Sequence, residues 1–309
     1  MKNIKIVATG KYVPEKIVTN DDLSKVVDTT DEWIFSRTGI KERRQATIEN
    51  TVDLAYLAAS DCIKNGNYSV DEIDLIVVAT ITQEDKTPSV ANLVCGKLGI
   101  NREIMTFDIN AACTGFVYAL EVASSLLSSG NYKSALVIGS EKLTNVLDYE
   151  DRNTCVLFGD GAGAVIIEKT IEPNQAHFIN RSRPDMNEVL TVGKFIHMDG
   201  KKVYQFAVEV LSKSIKEILE TNQLTIDDVD VIISHQANLR IIKSVANSLE
   251  IPLDKFLLNI EKYGNTSAAS IPILLSEYNN NNNQKKRVLM VGFGGGFTYG
   301  AAIMNLERK

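Results

Sequence analysis

The apolar and polar positions of this chain follow one grammar twice. Residues 69–80 (SVDEIDLIVVAT) pass from a polar start through acidic positions into a short apolar, β-branched run. Residues 225–236 (TIDDVDVIISHQ) do the same at an offset of 156 residues, with no gap. The match extends backwards, where 51–68 lies over 207–224 and both read as helices; in the second, Val208, Leu211, Ile215 and Leu219 share one face. Each copy thus predicts a helix, an acidic turn and a buried strand. A strand, a small-residue turn and a helix follow, at 105–130 in the first half and 256–278 in the second. In the first of these, Phe116, Leu120, Ala123 and Leu127 mark the buried stripe and Gly130 the stop. A further strand follows in each half, at 134–141 and 287–295, and the N-terminus reads as a strand from Ile4 to Ala8 that turns at Gly10.

Continuous apolar strands alternating with helices predict an α/β protein with buried sheets covered by helices. Two copies at so long a period indicate duplication of one α/β unit rather than a solenoid. The competing reading, two unrelated segments that look alike, is disfavoured by the ungapped match. The halves divide near 170–175, after VLFGDGAGAVIIEKT (156–170), giving units 1–172 and 173–309. The asparagine run at 279–283 reads as a polar surface loop without function.

Composition narrows the function classes. The chain has 309 residues, 44% hydrophobic and 23% charged, with a net charge of −6. That balance argues against non-specific nucleic-acid binding, which needs surplus Lys and Arg. No apolar run approaches the roughly 18 residues of a membrane span, and the first residues lack a signal-peptide pattern. Cys62, Cys95, Cys113 and Cys155 are scattered and form no CxxC pair, which fits free thiols in a reducing cytoplasm and no metal site.

Cys113, in ACTGF, falls where a strand gives way to a helix. The N–H groups and dipole there contribute about 0.3–2 kcal/mol to a thiolate, enough to bring a free thiol from about 8.5 toward neutrality. The alternative is a small buried apolar residue, which is the reading for the other three cysteines. His235 directly follows the strand VDVIIS, at the end where open α/β sheets place their sites; by the repeat, Ala79 and Thr80 occupy the corresponding place. Asn265, in YGNTSAAS, lies at another strand-to-helix turn, where Asn265–Thr266 lines up with Cys113–Thr114. Two related turns could face one pocket, although a turn asparagine is common. The cluster GFGGGFTYG (292–300) can bring backbone N–H groups close to an oxyanion. It lacks dinucleotide spacing, and GDGAGA (159–164) lacks the P-loop pattern and reads as a tight turn before a strand. Trp33, the one tryptophan, stands beside several arginines in DEWIFSRTGIKERR, a set able to stack a base and pair its phosphates.

Together, DEWIFSRTGIKERR, DINAACTGF, LFGDGAGA, SHQANLRI, GNTSAAS and FGGGFTYG resemble, in order and over nearly the whole chain, the 3-oxoacyl-[acyl-carrier-protein] synthase III family. The resemblance implies a thiolase-like five-layer αβαβα fold and a homodimer. It implies a Cys113, His235 and Asn265 triad, with an oxyanion hole from the N–H groups of Cys113 and Gly295. Cys113 would take an acyl group from acyl-CoA, a substrate rather than a cofactor, and pass it to malonyl-ACP with loss of CO2. Trp33 and Arg152 would sandwich the CoA adenine, with Arg37 nearby, and Arg240 would help dock the acyl carrier protein. Thr87 stands where one branch of the family has phenylalanine, at a gate to the partner subunit's acyl pocket, so longer or branched primers become accessible. The stretch 172–201 is about ten residues shorter than the family pattern, which leaves open a specialised-metabolism relative of quinolone- or polyketide-priming type with another acceptor. A papain-like protease is disfavoured by the missing local context of its cysteine, and a non-catalytic scaffold by the complete triad.

Overall fold

The computed structural model describes residues 2–173, 175–280 and 285–307. Strand β1 (Ile4–Tyr12) leads to helices α1 (Asp31–Thr38) and α2 (Thr51–Asn65), then β2 (Leu75–Ala79), α3 (Val90–Lys97) and β3 (Met105–Ile109). Helix α4 (Gly115–Ser128), β4 (Ser134–Glu141), β5 (Gly161–Lys169) and β6 (Ala176–Ser182) follow. The chain continues through α5 (Gly200–Thr221), β7 (Val231–Ser234), α6 (Leu239–Ser248), α7 (Ser270–Asn280), β8 (Lys286–Gly294) and β9 (Thr298–Leu306). The repeat is visible in the element boundaries: α2 and α5 end, and β2 and β7 begin, at the same 156-residue offset.

Nine strands form one mixed sheet in the order β7-β8-β9-β1-β5-β4-β2-β3, with β6 also on β9. Its two halves meet where β1 joins β9 in parallel through Ile6 and Leu306. Period-two alternation sorts the strand residues into layers. Val77, Val137 and Val165 face inward onto α4 and α7, as do Ile233, Met290 and Met304 from the other half. Ile76, Ile138 and Ile166 face outward onto α2 and α3, and Ile232, Leu289 and Ile303 face α5 and α6. The result is the five-layer αβαβα arrangement, with α4 and α7 as the central helical layer.

The structure corrects several local expectations. Strand β1 runs through Gly10 to Tyr12. Gly10 is required because a Cβ there would lie 2.1 Å from the Cys62 backbone nitrogen, so the glycine marks the close approach of α2 rather than a turn. The strand expected near residue 256 is reduced to one bridge, Ile232 to Phe256. Gly161 to Ala164 lie inside β5 rather than in a turn. Asn279 is buried in α7 and its Nδ2 donates to Thr9 Oγ1 at 2.9 Å, so it is not part of a surface loop; 281–283 lie outside the described residues. Among the described residues no helix is long and apolar enough to cross a membrane.

Candidate active site

Two related turns open the central helices. The 3-10 turn Ala112–Thr114 precedes α4, and Ser267–Ala269 precedes α7, at an offset of 155 residues. Each enters through a left-handed residue, Ala112 (φ 47) and Ser267 (φ 49). Each is also braced by an asparagine: Asn110 Oδ1 accepts from the Ala112 N–H at 3.2 Å, and Asn265 Oδ1 from the Ser267 N–H at 2.8 Å. The pseudo-equivalent of Asn265 is therefore Asn110, and that of Cys113 is Ala268. The sequence alignment of Asn265–Thr266 with Cys113–Thr114 is out by three residues, because it matched small residues and not backbone handedness. The two turns pack together over β4, where a Cβ on Gly139 would meet the Ala268 carbonyl at 2.3 Å.

Cys113, His235 and Asn265 all line one cavity of ≈ 1100 Å³. Burial pushes the Cys113 thiol up to about 12, against a hydrogen bond with the Ser267 side chain and with the added repulsion of Glu141. The helix terminus favours the thiolate, and burial works against it. His235 is buried at the end of β7, its backbone N–H on the Val291 carbonyl at 2.8 Å. Burial lowers its imidazole to about 3, so the ring is neutral. Its ring meets Phe293 edge-on at 5.5 Å. Asn265 is held by its backbone: its N–H donates to the Leu157 carbonyl (2.8 Å) and its carbonyl accepts from Gly159 (3.0 Å). With Oδ1 engaged by Ser267, Nδ2 is the group left to donate into the cavity.

Gly295 also lines the cavity. The strand end beside it passes so close to the nucleophile that a Cβ on Gly294 would lie 2.7 Å from the Cys113 nitrogen. At the mouth, the guanidinium carbons of Arg37 and Arg152 lie 4.5 and 4.9 Å from the Trp33 ring centroid. Arg152 is anchored by the Asp28 carbonyl at 2.8 Å. Arg240, exposed at the start of α6, lines the same mouth, with its guanidinium 6.0 Å from the Tyr204 ring centroid. The short 172–201 stretch holds β6 and a hairpin of strands Leu190–Val192 and Ile196–Met198, whose Leu190, Val192, Ile196 and Met198 wall the cavity. Thr87 is apart from this group: it is exposed, precedes a cis proline bond, and does not line the cavity of its own subunit.

Sequence reading missed Glu141, Ser267 and Ser270. Glu141 is fully buried at the carboxyl end of β4, where burial raises it to about 7. Ser270 Oγ lies 2.7 Å from His235 Nδ1. The available signal for Glu141 was a lone acid terminating a continuously apolar strand.

A duplicated five-layer fold that turns a helix-terminal cysteine, a histidine and an asparagine into one cavity defines the thiolase-fold condensing enzymes. Profiles of 3-oxoacyl-[acyl-carrier-protein (ACP)] synthase III match residues 107–182, and of its C-terminal part residues 219–306. The beta-ketoacyl-[acyl-carrier-protein] synthase III of Acholeplasma laidlawii is 57% identical over 99% of this chain and 100% of its own. That of Clostridium acetobutylicum is 46% identical over 100% of both. The crystal structure of 3-oxoacyl-[acyl-carrier-protein] synthase III from Aquifex aeolicus superposes with a TM-score of 0.94, at 44% identity, covering 97% of this chain and 99% of that one. The chain belongs to the 3-oxoacyl-[acyl-carrier-protein] synthase III family.

Proposed function

We propose that this chain condenses an acyl-CoA primer with malonyl-ACP to give 3-oxoacyl-ACP and CO2, the initiating step of fatty-acid synthesis. The observation that carries the reading is the convergence of Cys113, His235 and Asn265 on one cavity. The Cys113 thiolate attacks the acyl carbonyl, and the N–H groups of Cys113 and Gly295 hold the oxyanion until the CoA thiolate leaves. The acyl-cysteine splits one hard step into two. Malonyl-ACP follows. The N–H groups of neutral His235 and Asn265 donate to its thioester oxygen as CO2 departs, and the resulting enolate attacks the acyl-cysteine and expels Cys113. Neither half-reaction needs a cofactor.

Trp33, Arg37 and Arg152 hold the CoA nucleotide in this reading, and Arg240 docks the carrier protein. Residues 1–172 supply the nucleophile and 173–309 the two side-chain donors. The protein works as a cytoplasmic homodimer. The dimer is supported by β3, an edge strand whose Met105 is 42% exposed, and it is needed if Thr87 is to gate an acyl pocket.

Intact-protein mass spectrometry tests the reading, with acetyl-, isobutyryl-, hexanoyl- and octanoyl-CoA and Cys113→Ala as control. A Cys113-dependent adduct that is discharged by malonyl-ACP with CO2 release is expected. No adduct from any donor sinks the first half-reaction, and an adduct that malonyl-ACP leaves untouched points to a different acceptor.

A further inference from the structure

Helix α7 reaches both side-chain donors from one face. At its start, Ser270 Oγ lies 2.7 Å from His235 Nδ1. Seven residues on, at the two-turn spacing that returns to the same face, Glu277 meets the arm that leads to Asn265. That arm is a single helical turn, Ile260–Tyr263, which begins after the buried Asn259 and breaks at Gly264 (φ 63). Glu277 Oε2 accepts from Asn259 Nδ2 at 3.0 Å, and Glu277 Oε1 accepts from the Tyr263 hydroxyl at 2.7 Å. The carboxylate thus grips the turn at both ends. Lys11 Nζ, from β1, pairs with the same Oε1 and donates to the Tyr263 oxygen at 3.3 Å. A carboxylate suits this place because it offers about four acceptor sites and no proton, so it takes all these donors together. Gln236, fully buried beside His235, completes the path. Its Oε1 accepts from the Asn259 N–H at 3.2 Å, and its Nε2 donates to the carbonyls of Ser234 (2.8 Å) and Leu257 (3.3 Å).

Asn259 is therefore held twice, through its backbone by the residue beside His235 and through its side chain by Glu277. Tyr263, the other end of the turn, stands two residues before Asn265. The backbone anchors of Asn265 on Leu157 and Gly159 fix it to the half of the chain that carries Cys113. The contacts that span the two donors run through Gln236, Asn259, Tyr263 and Glu277. None of these four lines the cavity, so each acts through the donors and not on the substrate. We propose that Glu277 is a positioning residue for the second half-reaction, setting the separation and aim of His235 and Asn265 by clasping the turn between them. The inference rests on the condensation reading, in which both donors face one thioester oxygen. Two donors that share one oxygen must keep their spacing, and a misplacement of about 1 Å can cost roughly a hundredfold in rate.

Quenched-flow mass spectrometry on the full protein follows the two half-reactions apart: acetylation of Cys113 by acetyl-CoA, and discharge of that adduct by malonyl-ACP. Glu277→Leu removes every acceptor. It should slow the discharge at saturating malonyl-ACP roughly ten- to a hundredfold and leave acetylation at the native rate. Glu277→Gln keeps an oxygen for Tyr263 and an amide able to pair with Asn259, and should recover most of the discharge. Asn259→Ala combined with Tyr263→Phe cuts both arms and spares the Lys11–Glu277 pair. It decides the matter if Glu277→Leu lacks a native thermal melt. Equal slowing of both half-reactions, discharge at the native rate, or a loss confined to KM for malonyl-ACP overturns the proposal. Hydrogen exchange of the 257–266 backbone adds an arm free of substrate. Exchange should quicken in Glu277→Leu and stay native in Glu277→Gln, and unchanged exchange in Glu277→Leu also overturns the proposal. A native protein whose adduct malonyl-ACP never discharges sinks the condensation reading instead, and the exchange result then decides the clasp by itself.

Discussion

The hydroxyl of Ser270 lies 2.7 Å from His235 Nδ1, a hydrogen bond whose donor depends on which ring nitrogen carries the proton. Ser270 Oγ also accepts from the Gln236 N–H at 3.4 Å. The reading proposed above requires the serine to donate to Nδ1, so that the proton of the neutral ring sits on Nε2 and faces a thioester oxygen. Ser270→Ala releases this choice. The condensation rate should fall roughly five- to tenfold, the worth of one hydrogen bond of about 1–1.5 kcal/mol, while Cys113 acylation is unchanged. Equal losses in both half-reactions would show that Ser270 serves the fold instead.

Trp33 is flanked by Arg37 and Arg152, which pack on its ring themselves. A base can slide between Trp33 and Arg152 only if that guanidinium swings away from the ring. Trp33→Ala should raise KM for acyl-CoA roughly five- to thirtyfold, from stacking and cation–π terms of about 0.5–1 kcal/mol each. It should leave KM for an acyl-pantetheine lacking the nucleotide unchanged. A rise for both donors would place Trp33 outside the nucleotide site.

Thr87 is exposed and lies outside the cavity of its own subunit. The proposed gating of primer length by Thr87 therefore requires contact across a subunit interface. Thr87→Phe should abolish the octanoyl adduct and retain the acetyl one. An unchanged chain-length profile by mass spectrometry would remove the residue from the gate.

Two buried groups give the fold opposing pH dependences. Burial lowers His235 from 6.5 to about 3, so its contribution to stability is lost as pH falls from 6.5 towards 3. Burial raises Glu141 from 4.5 to about 7, so its contribution is fully present below 4.5 and is lost as pH rises through 7. The slopes oppose each other between 4.5 and 6.5. Glu141→Gln should uncover a stability that rises with pH in this window, and His235→Gln one that falls, each by up to about 1.4 kcal/mol per pH unit. Urea unfolding at a series of pH values measures both, and flat profiles in the two variants would mean that neither charge is excluded from the fold.

The layered fold was legible because its strands carry long apolar runs, and Ser134–Glu141 and Val231–Ser234 are buried at every position. Cys113, His235 and Asn265, which line one cavity, could be singled out because each stands where one element gives way to the next. What escaped depends on contacts between distant segments. Ser267 meets Glu141 across 126 residues of sequence, and nothing local marks that carboxyl as a neighbour of the nucleophile. Gly10 looked like a turn because glycine breaks a pattern, whereas here it admits a helix backbone. In the same way, a helix terminus beside Cys113 is visible in the sequence, whereas the burial that pushes its thiol up is not.

Gly139 lies against Ala268 and Gly294 against Cys113, each where no side chain fits, so the two turns that open the central helices rest on glycine backbone. By contrast, the cavity wall is furnished by Leu190, Val192, Ile196 and Met198, borne on a two-stranded hairpin outside the nine-stranded sheet. Chemistry and appetite are thus written on different parts of the chain. The hairpin can be lengthened, trimmed or recoloured without touching the glycines on which the two turns pack.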